Sequence, residues 1–416
     1  MALTRTFMQL RPIVAALGRH KVATLLIVLQ VALTLAVASN ALFIVATSVI
    51  HLSRPTSTDE AHLFVIRNGW KLGQSAGEID ANIRADLDTL RHVSGVRDAY
   101  SSQGFPLGGY NAHIIVHPKI KPDEKAPGQL ATFFAADEHT INTLGISLVA
   151  GRNFRPDEIT AIGPDDKMAP AGVIVTRSLA DKLFPDGSAL GKTIYLSDGP
   201  AAITGILASL QGPLKNSRAI DGFTVLVPTH YIDPAGIAYL VRTDSNAMTT
   251  VIAATLKALQ ERSSARIIDP NAGVITMTQV RAHAYAGDHS VAVLMSVLSG
   301  LLLLATAAGI VGLSSFWVSQ RRRQIGIRRS LGATTNDILG YFHSENFLIV
   351  SGGIALGALL AILANLGLMR IYELPHMPLY VPLLGALLLW LLGQLAVWGP
   401  ARYAAKVPPV VAIRAE

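Results

Sequence analysis

Three stretches of this 416-residue chain carry residue types at spacings that chemistry could use. Gly187 to Thr193, GSALGKT, approaches a phosphate-binding loop. Such a loop needs four residues between its first glycine and the Gly-Lys-Thr. Only Ser188, Ala189 and Leu190 intervene here, and Asp186 stands where that glycine belongs, so nucleotide binding is not expected. His113 and His117 lie four apart in an extended stretch and could form a two-histidine metal site, but an exposed strand face is the simpler reading. The third stretch, Gln320 to Thr335, reads QRRRQIGIRRSLGATT and holds five arginines. No serine, histidine and acid are spaced as a recognisable triad. The chain has no cysteine, which excludes disulfides, thiolate catalysis and Cys-ligated zinc. We expect no catalytic residue, no resident cofactor and no metal.

The arginine run is positioned by what flanks it. Val291 to Gln320 contains no Asp, Glu, Lys or Arg for 30 residues, and Asn346 to Met369 none for 24. A bilayer core needs about 20 apolar helical residues, so both stretches are long enough to cross. One arginine at mid-membrane costs roughly 2.5–3.5 kcal/mol on insertion scales, so the five must lie in water. Short basic loops stay on the cytoplasmic side. Two further apolar stretches are Val22 to Ile50, 29 residues without an ionisable side chain, and Pro378 to Trp398. The first continues past the Ala36-Val37-Ala38 cleavage look-alike and is read as an uncleaved span.

Composition agrees. Half the residues are hydrophobic and 15% are charged, against about 25% in soluble domains. The formal net charge of +7 comes from the two ends and the arginine loop, whereas residues 51–289 hold 22 basic and 24 acidic side chains. The basic character therefore orients the chain in a membrane and gives no support for nucleic-acid binding.

The expected fold is an α-helical membrane protein with four transmembrane helices and a large, two-lobed α/β domain between the first and second. Residues 1–21 form a cytoplasmic amphipathic helix with Phe7, Leu10, Ile13, Val14 and Leu17 on one face. Spans occupy 22–50, 289–319, 343–369 and 377–400. The exported domain covers 51–288, the cytoplasmic element 320–342 and a cytoplasmic tail 401–416. Strand–helix–strand patterns at both ends of the exported segment suggest one split α/β lobe, with an inserted lobe at about 130–225. The Pro- and Gly-rich pieces at 118–128 and 211–222 are the expected lobe borders. Small residues in the spans, Ala305, Gly309 and Gly312 in the second and Gly353 and Gly357 in the third, are read as helix-packing positions.

The arginine loop has two readings on its residues alone. Charge by itself makes it a topogenic anchor. But topology does not need Ile325-Gly326-Ile327 or Leu331-Gly332-Ala333, and Thr334 with Asp337 makes a capping-box helix start. Those features suggest a structured element that docks a partner.

The run Arg322-Arg323-Gln324-Ile325-Gly326-Ile327-Arg328-Arg329-Ser330-Leu331-Gly332-Ala333, with Asp337-Ile338 and Glu345, resembles the C-terminal module of MacB/FtsX-like ABC permeases. Ser330 stands where that family very often has alanine. LGISLVAGRNF from Leu144 and VIVTRSLADKLFPDGSALGKTIYL from Val173 resemble the periplasmic core domain of the MacB type. The resemblance implies a dimeric permease, of like or unlike subunits, in a bacterial inner membrane with both termini cytoplasmic. Its implied mechanism is mechanotransmission: a separate ATPase binds ATP, and a coupling helix at about 321–334 relays the motion to the periplasmic domain for efflux or extraction. Arg322, Arg323, Ile325, Gly326, Arg328, Arg329, Leu331, Gly332 and Ala333 would dock that ATPase. A periplasmic adaptor and an outer-membrane channel are further partners the resemblance allows. MacB proper carries an N-terminal ATPase domain, which is not seen here. A lipoprotein-releasing permease and an ATPase-free sensor or scaffold are the competing functions.

Overall fold

A computed structural model describes residues 21–53, 57–109, 112–118, 128–213, 220, 222–372 and 376–405. The amphipathic helix expected before residue 21 and the tail beyond 405 lie outside the described residues. The chain divides into two compact units, residues 54–287 and the remainder.

Helix α1, Lys21–Ser53, is the first apolar helix. The exported unit then begins with β1 (Leu63–Trp70), α2 (Ala76–His92) and β2 (Val96–Ser102). Helix α2 starts at a capping box in which Ser75 and Glu78 satisfy each other's backbone amides. It buries Ile79, Ile83, Leu87 and Leu90. A short hairpin follows, β3 (Gly104–Phe105) with β4 (Gly108–Gly109). The second lobe comprises β5 (His113–Val116), β6 (Gln129–Ala136), β7 (Leu148–Gly151), β8 (Thr160–Ile162), β9 (Gly172–Thr176), α4 (Arg177–Leu183), β10 (Thr193–Tyr195), β11 (Pro200–Leu207) and β12 (Thr224–Tyr231), while α3 (Thr140–Leu144), between β6 and β7 in the chain, packs on β2 and β13 of the first lobe. The chain returns to the first lobe through β13 (Ile237–Thr243), α5 (Met248–Arg262), β14 (Arg266–Ile267) and β15 (Val274–Thr276).

The first lobe is an antiparallel sheet of order β14-β1-β13-β2, with β15 also on β1. Its two strand–helix–strand units interleave as a split β-α-β arrangement, and α2 and α5 cover one face. The second lobe is a mixed eight-stranded sheet of order β10-β11-β9-β12-β6-β5, with β7 and β8 on β11 and β12.

The inserted lobe is wider than 130–225. It takes in β5 and the end of β12, because β5 pairs with β6 from His113 to Val116. Most of the 118–128 and 211–222 pieces lies outside the described residues; in chain order each falls between two strands of this one sheet. Turns inside a sheet and linkers between lobes use the same glycine and proline chemistry, so composition does not separate them. The chain passes between the lobes after β4, which ends at Gly109, and returns between β12 and β13, at 232–236.

One buried carboxylate ties the first lobe together. Asp86 on α2 is fully buried and accepts four hydrogen bonds. Its Oδ1 takes Arg262 Nε and Arg266 Nη2, and its Oδ2 takes Arg266 Nη1 and Tyr239 Oη. Burial and the Asp86 charge hold the Tyr239 phenol well above its usual range.

In the second lobe, Arg152 grips Glu158 with both guanidinium ends, at 2.9 and 2.5 Å. That hydrogen bonding holds the Glu158 carboxyl at about 2, against an ordinary 4.5. A depressed carboxyl contributes stability that is full above its unfolded value and is lost as pH falls toward its folded one. Glu158→Gln is therefore expected to lower thermal stability at neutral pH, modestly because the pair is partly exposed, and to leave it nearly unchanged near pH 2, so that the acid limb between about pH 4.5 and about 2 flattens.

The remaining unit consists of α1 with α6 (Met277–Gln320, which starts in the exported unit), α7 (Arg322–Ser330), α8 (Thr335–Tyr372) and α9 (Tyr380–Ala405). Helices α1, α6, α8 and α9 are each long and apolar enough to cross a membrane. Helix α1 packs against α8 where glycines permit it. A Cβ at Gly353 would lie 2.7 Å from Val31 Cβ, and one at Gly357 would lie 2.9 Å from the Ala32 Cα. Helix α6 meets α1 through polar groups: Gln30 donates to the Ala305 carbonyl at 2.9 Å, and Thr34 and Thr306 share a 2.7 Å hydrogen bond. Gly309 makes room for Gln30, because a Cβ there would lie 2.6 Å from Gln30 Oε1. Gly312 has nothing within 4 Å of where a Cβ would stand, so no contact within the chain requires a glycine there.

Candidate partner-docking site

The arginine loop folds into α7, a nine-residue helix between the ends of two apolar helices. Its own chain holds it in three ways. Ile325 is buried among Trp317, Val318, Ile338 and Phe342. Arg321, just before α7, donates through Nη1 to both oxygens of Glu345 at 3.0 Å. Glu345 is 1% exposed, so this ion pair is a buried pin at the base of the helix. Arg328 lies over the Tyr341 ring, 4.9 Å from its centroid.

The end of α7 is a Schellman cap. Ala333 N–H donates to the Arg328 carbonyl at 3.0 Å, and Gly332 N–H donates to the Arg329 carbonyl at 3.1 Å. The motif requires a left-handed residue, and Gly332 supplies it at φ +96°. Thr334 and Asp337 then form the capping box that opens α8, with Asp337 Oδ2 accepting Thr334 N–H at 2.9 Å.

These contacts sort the nine residues proposed for docking. Ile325 and Gly326 are buried within the chain and serve to hold α7 in place. Arg323, Ile327, Arg328, Leu331 and Gly332 are exposed, while Arg329 and Ala333 are half-buried. The side chain of Arg322 lies outside the described residues. Leu331 is 83% exposed and Ile327 46% exposed, one helical turn apart and flanked by arginines. Helix α7 is thus shorter than the expected 321–334 helix: it stops at Ser330, because Gly332 turns the chain into α8.

A substitution separates the two roles Gly332 could have. No atom lies within 4 Å of a Cβ there, but φ is left-handed, which costs an L-residue about 1–2 kcal/mol. If the cap is what matters, Gly332→Ala and Gly332→Leu fray α7 equally, by hydrogen exchange of its last amides. A far larger effect of leucine on partner binding would place Gly332 in the contact itself.

The other chemical candidates resolve into structure. Gly187 to Thr193 is a turn between α4 and β10, with Asp186 accepting from Ser188 N–H, and a strand follows it where a phosphate loop needs a helix. His113 is exposed on β5 and His117 half-buried beside it. Among the described residues no three His, Asp or Glu side chains are grouped to hold a metal. Missed by the sequence reading was the Arg321–Glu345 pin, although an acid ten residues into an apolar helix is a visible signal.

Similarity to known proteins agrees with both units. The MacB-like periplasmic core domain matches residues 24–280, and the FtsX-like permease C-terminal domain matches 296–409. The chain is 23% identical to the uncharacterized ABC transporter permease YvrN of Bacillus subtilis over 68% of its own length and 70% of that protein. It is 25% identical to the macrolide export ATP-binding/permease protein MacB of Bartonella henselae over 81% of its length. To the protein of the same name from Agrobacterium fabrum it is 23% identical over 99%. It spans 49% of the first of these MacB proteins and 61% of the second. A membrane-embedded unit and a periplasmic-type domain, each matched by its own family model, make the chain a member of the MacB/FtsX-like ABC transporter permeases.

Proposed function

We propose that the chain is the membrane subunit of an ABC transporter that relays the motion of a separate ATPase to its periplasmic domain. The observation that carries this reading is α7. Its inner face is locked by Ile325 and the Arg321–Glu345 pair, while Ile327 and Leu331 are left exposed. A rigid helix with an exposed apolar tip is a shape that can take up a push from a partner. Helix α6 is 44 residues long, about 66 Å at 1.5 Å per residue, and its residues belong in part to each unit. An ATPase needs only a few kcal/mol of differential affinity between its two states to bias such a lever.

In this reading both termini and α7 are cytoplasmic, following the positive-inside rule, and the membrane is the bacterial inner membrane. ATP is bound by the partner. The permease works as a dimer, and the periplasmic domain takes up or extracts its substrate from the periplasmic side, with or without an adaptor and an outer-membrane channel. The test is purification of the tagged chain in mild detergent, with mass spectrometry of bound proteins and an ATPase assay. A stoichiometric ABC ATPase whose activity responds to the permease is expected. A folded protein that binds no ATPase would overturn the reading in favour of a sensor or scaffold.

A further inference from the structure

The exported unit contains a cleft of about 430 Å³ that the relay of motion does not use. Its floor is the end of the β1–β13 pair, on the sheet face opposite α2 and α5. Small residues make the depression. Gly236 has φ +127°, and a Cβ there would collide with the Asn68 carbonyl and come within 2.8 Å of the Gly69 Cα. Phe105 forms one wall and Ile267 another.

Arg67 stands in this cleft as an exposed residue of β1, its guanidinium 5.8 Å from the centre of the Phe105 ring. The register places it opposite Ala238, which offers no polar partner. Arg67 makes no salt bridge among the described residues. The one acid at the rim, Asp269, turns its Oδ1 onto the backbone amides of Asn271 and Ala272 at 2.8 and 3.2 Å. The cleft therefore offers a single positioned cation beside an aromatic wall over a shallow glycine floor. A guanidinium fork matches the planar two-oxygen geometry of a carboxylate, and the aromatic wall suits an apolar body.

We propose that this cleft binds a monoanionic ligand with one carboxylate on an aryl or alkyl body, the carboxylate on Arg67 and the body against Phe105. Occupancy of the site has a short path to α6. A Cβ at Gly108 would lie 2.6 Å from Phe105 Cε2 and 3.3 Å from Val280 Cγ1, so only a glycine separates the cleft wall from the first turns of that helix. That second step rests on the permease reading, whereas binding itself does not.

Calorimetry on the full-length protein in lipid nanodiscs, with 4-phenylbutyrate and its neutral amide as probes, tests the site without any ATPase. Saturable binding of the carboxylate is expected, with the amide at least about tenfold weaker, as loss of a charge-assisted hydrogen bond predicts. Arg67→Gln should bring the carboxylate down to the level of the amide. Gly69→Val has room, its Cβ meeting the Ala235 and Ile267 carbonyls at 3.5 Å and Ile267 Cβ at 3.7 Å, all ordinary van der Waals contacts, and should fill the floor and weaken both probes. A thermal melt confirms that each variant is folded. Equal binding of acid and amide would overturn the ligand class. No saturable binding, or binding indifferent to both substitutions, would overturn the site. Arg67→Gln should leave ATPase copurification intact, so failure here and failure of the transporter reading are separate results.

Discussion

Leu331→Asp is expected to lower the affinity of the permease for the ATPase proposed as its partner by about thirtyfold or more while leaving the fold intact. Leu331 is 83% exposed just past the end of α7, so the substitution removes no packing within the chain. Truncating a central apolar anchor of an interface typically costs 2 kcal/mol or more, roughly a thirtyfold change, and a carboxylate adds a desolvation penalty. Ile327→Asp should act in the same direction with a smaller effect, since Ile327 is already half covered. The measurement is a pull-down titration with purified ATPase, alongside a thermal melt. Unchanged affinity in both variants would remove α7 from the docking surface and leave its arginines as a topogenic anchor.

Asp86→Ala is expected to destabilise the exported domain by roughly 3–5 kcal/mol, the usual cost of removing one partner from a buried ion pair. The substitution strands the Arg266 guanidinium, whose side chain is 3% exposed, and leaves the Tyr239 hydroxyl without its acceptor. That is a large share of the ~5–15 kcal/mol that holds a domain folded. Arg266→Met combined with Asp86→Leu should recover much of the loss, because it removes the more buried of the two stranded guanidinium groups, while Arg262, 24% exposed, keeps its hydrogen bonds to Asn82. Thermal unfolding of the full chain checks both. A loss below about 1 kcal/mol in Asp86→Ala would show that water reaches the two arginines.

Much of the fold was legible from the residues alone, for reasons that differ by element. The four apolar helices follow from uninterrupted runs such as Val291 to Gln320, because hydrocarbon accepts no ionised side chain and demands internally satisfied backbone. The split first lobe was legible because Ile79, Ile83, Leu87 and Leu90 keep helical spacing beside a β-rich run. The start of α8 at Thr334 was legible because a capping box is local. The edges of the inserted lobe were not, since pairing of β5 with β6 is non-local and the segment between them has the composition of a linker.

Within the candidate sites, Asp86 carried a signal that went unread: it interrupts the buried stripe of α2 three residues after Ile83 and four before Leu90. An acid at a core position calls for buried cations, but which ones depends on how α5 and β14 return to the sheet. The roles inside QRRRQIGIRRSLGATT were equally hidden. By composition all five arginines look alike, and Ile325 looks like Ile327. Charge and hydropathy, which are sums over neighbouring residues, were enough to place that segment between two helices long and apolar enough to cross a membrane. Only the folded chain turned Ile325 inward, paired Arg321 with Glu345 and left Ile327 and Leu331 exposed, because burial is decided by contacts between residues far apart in sequence.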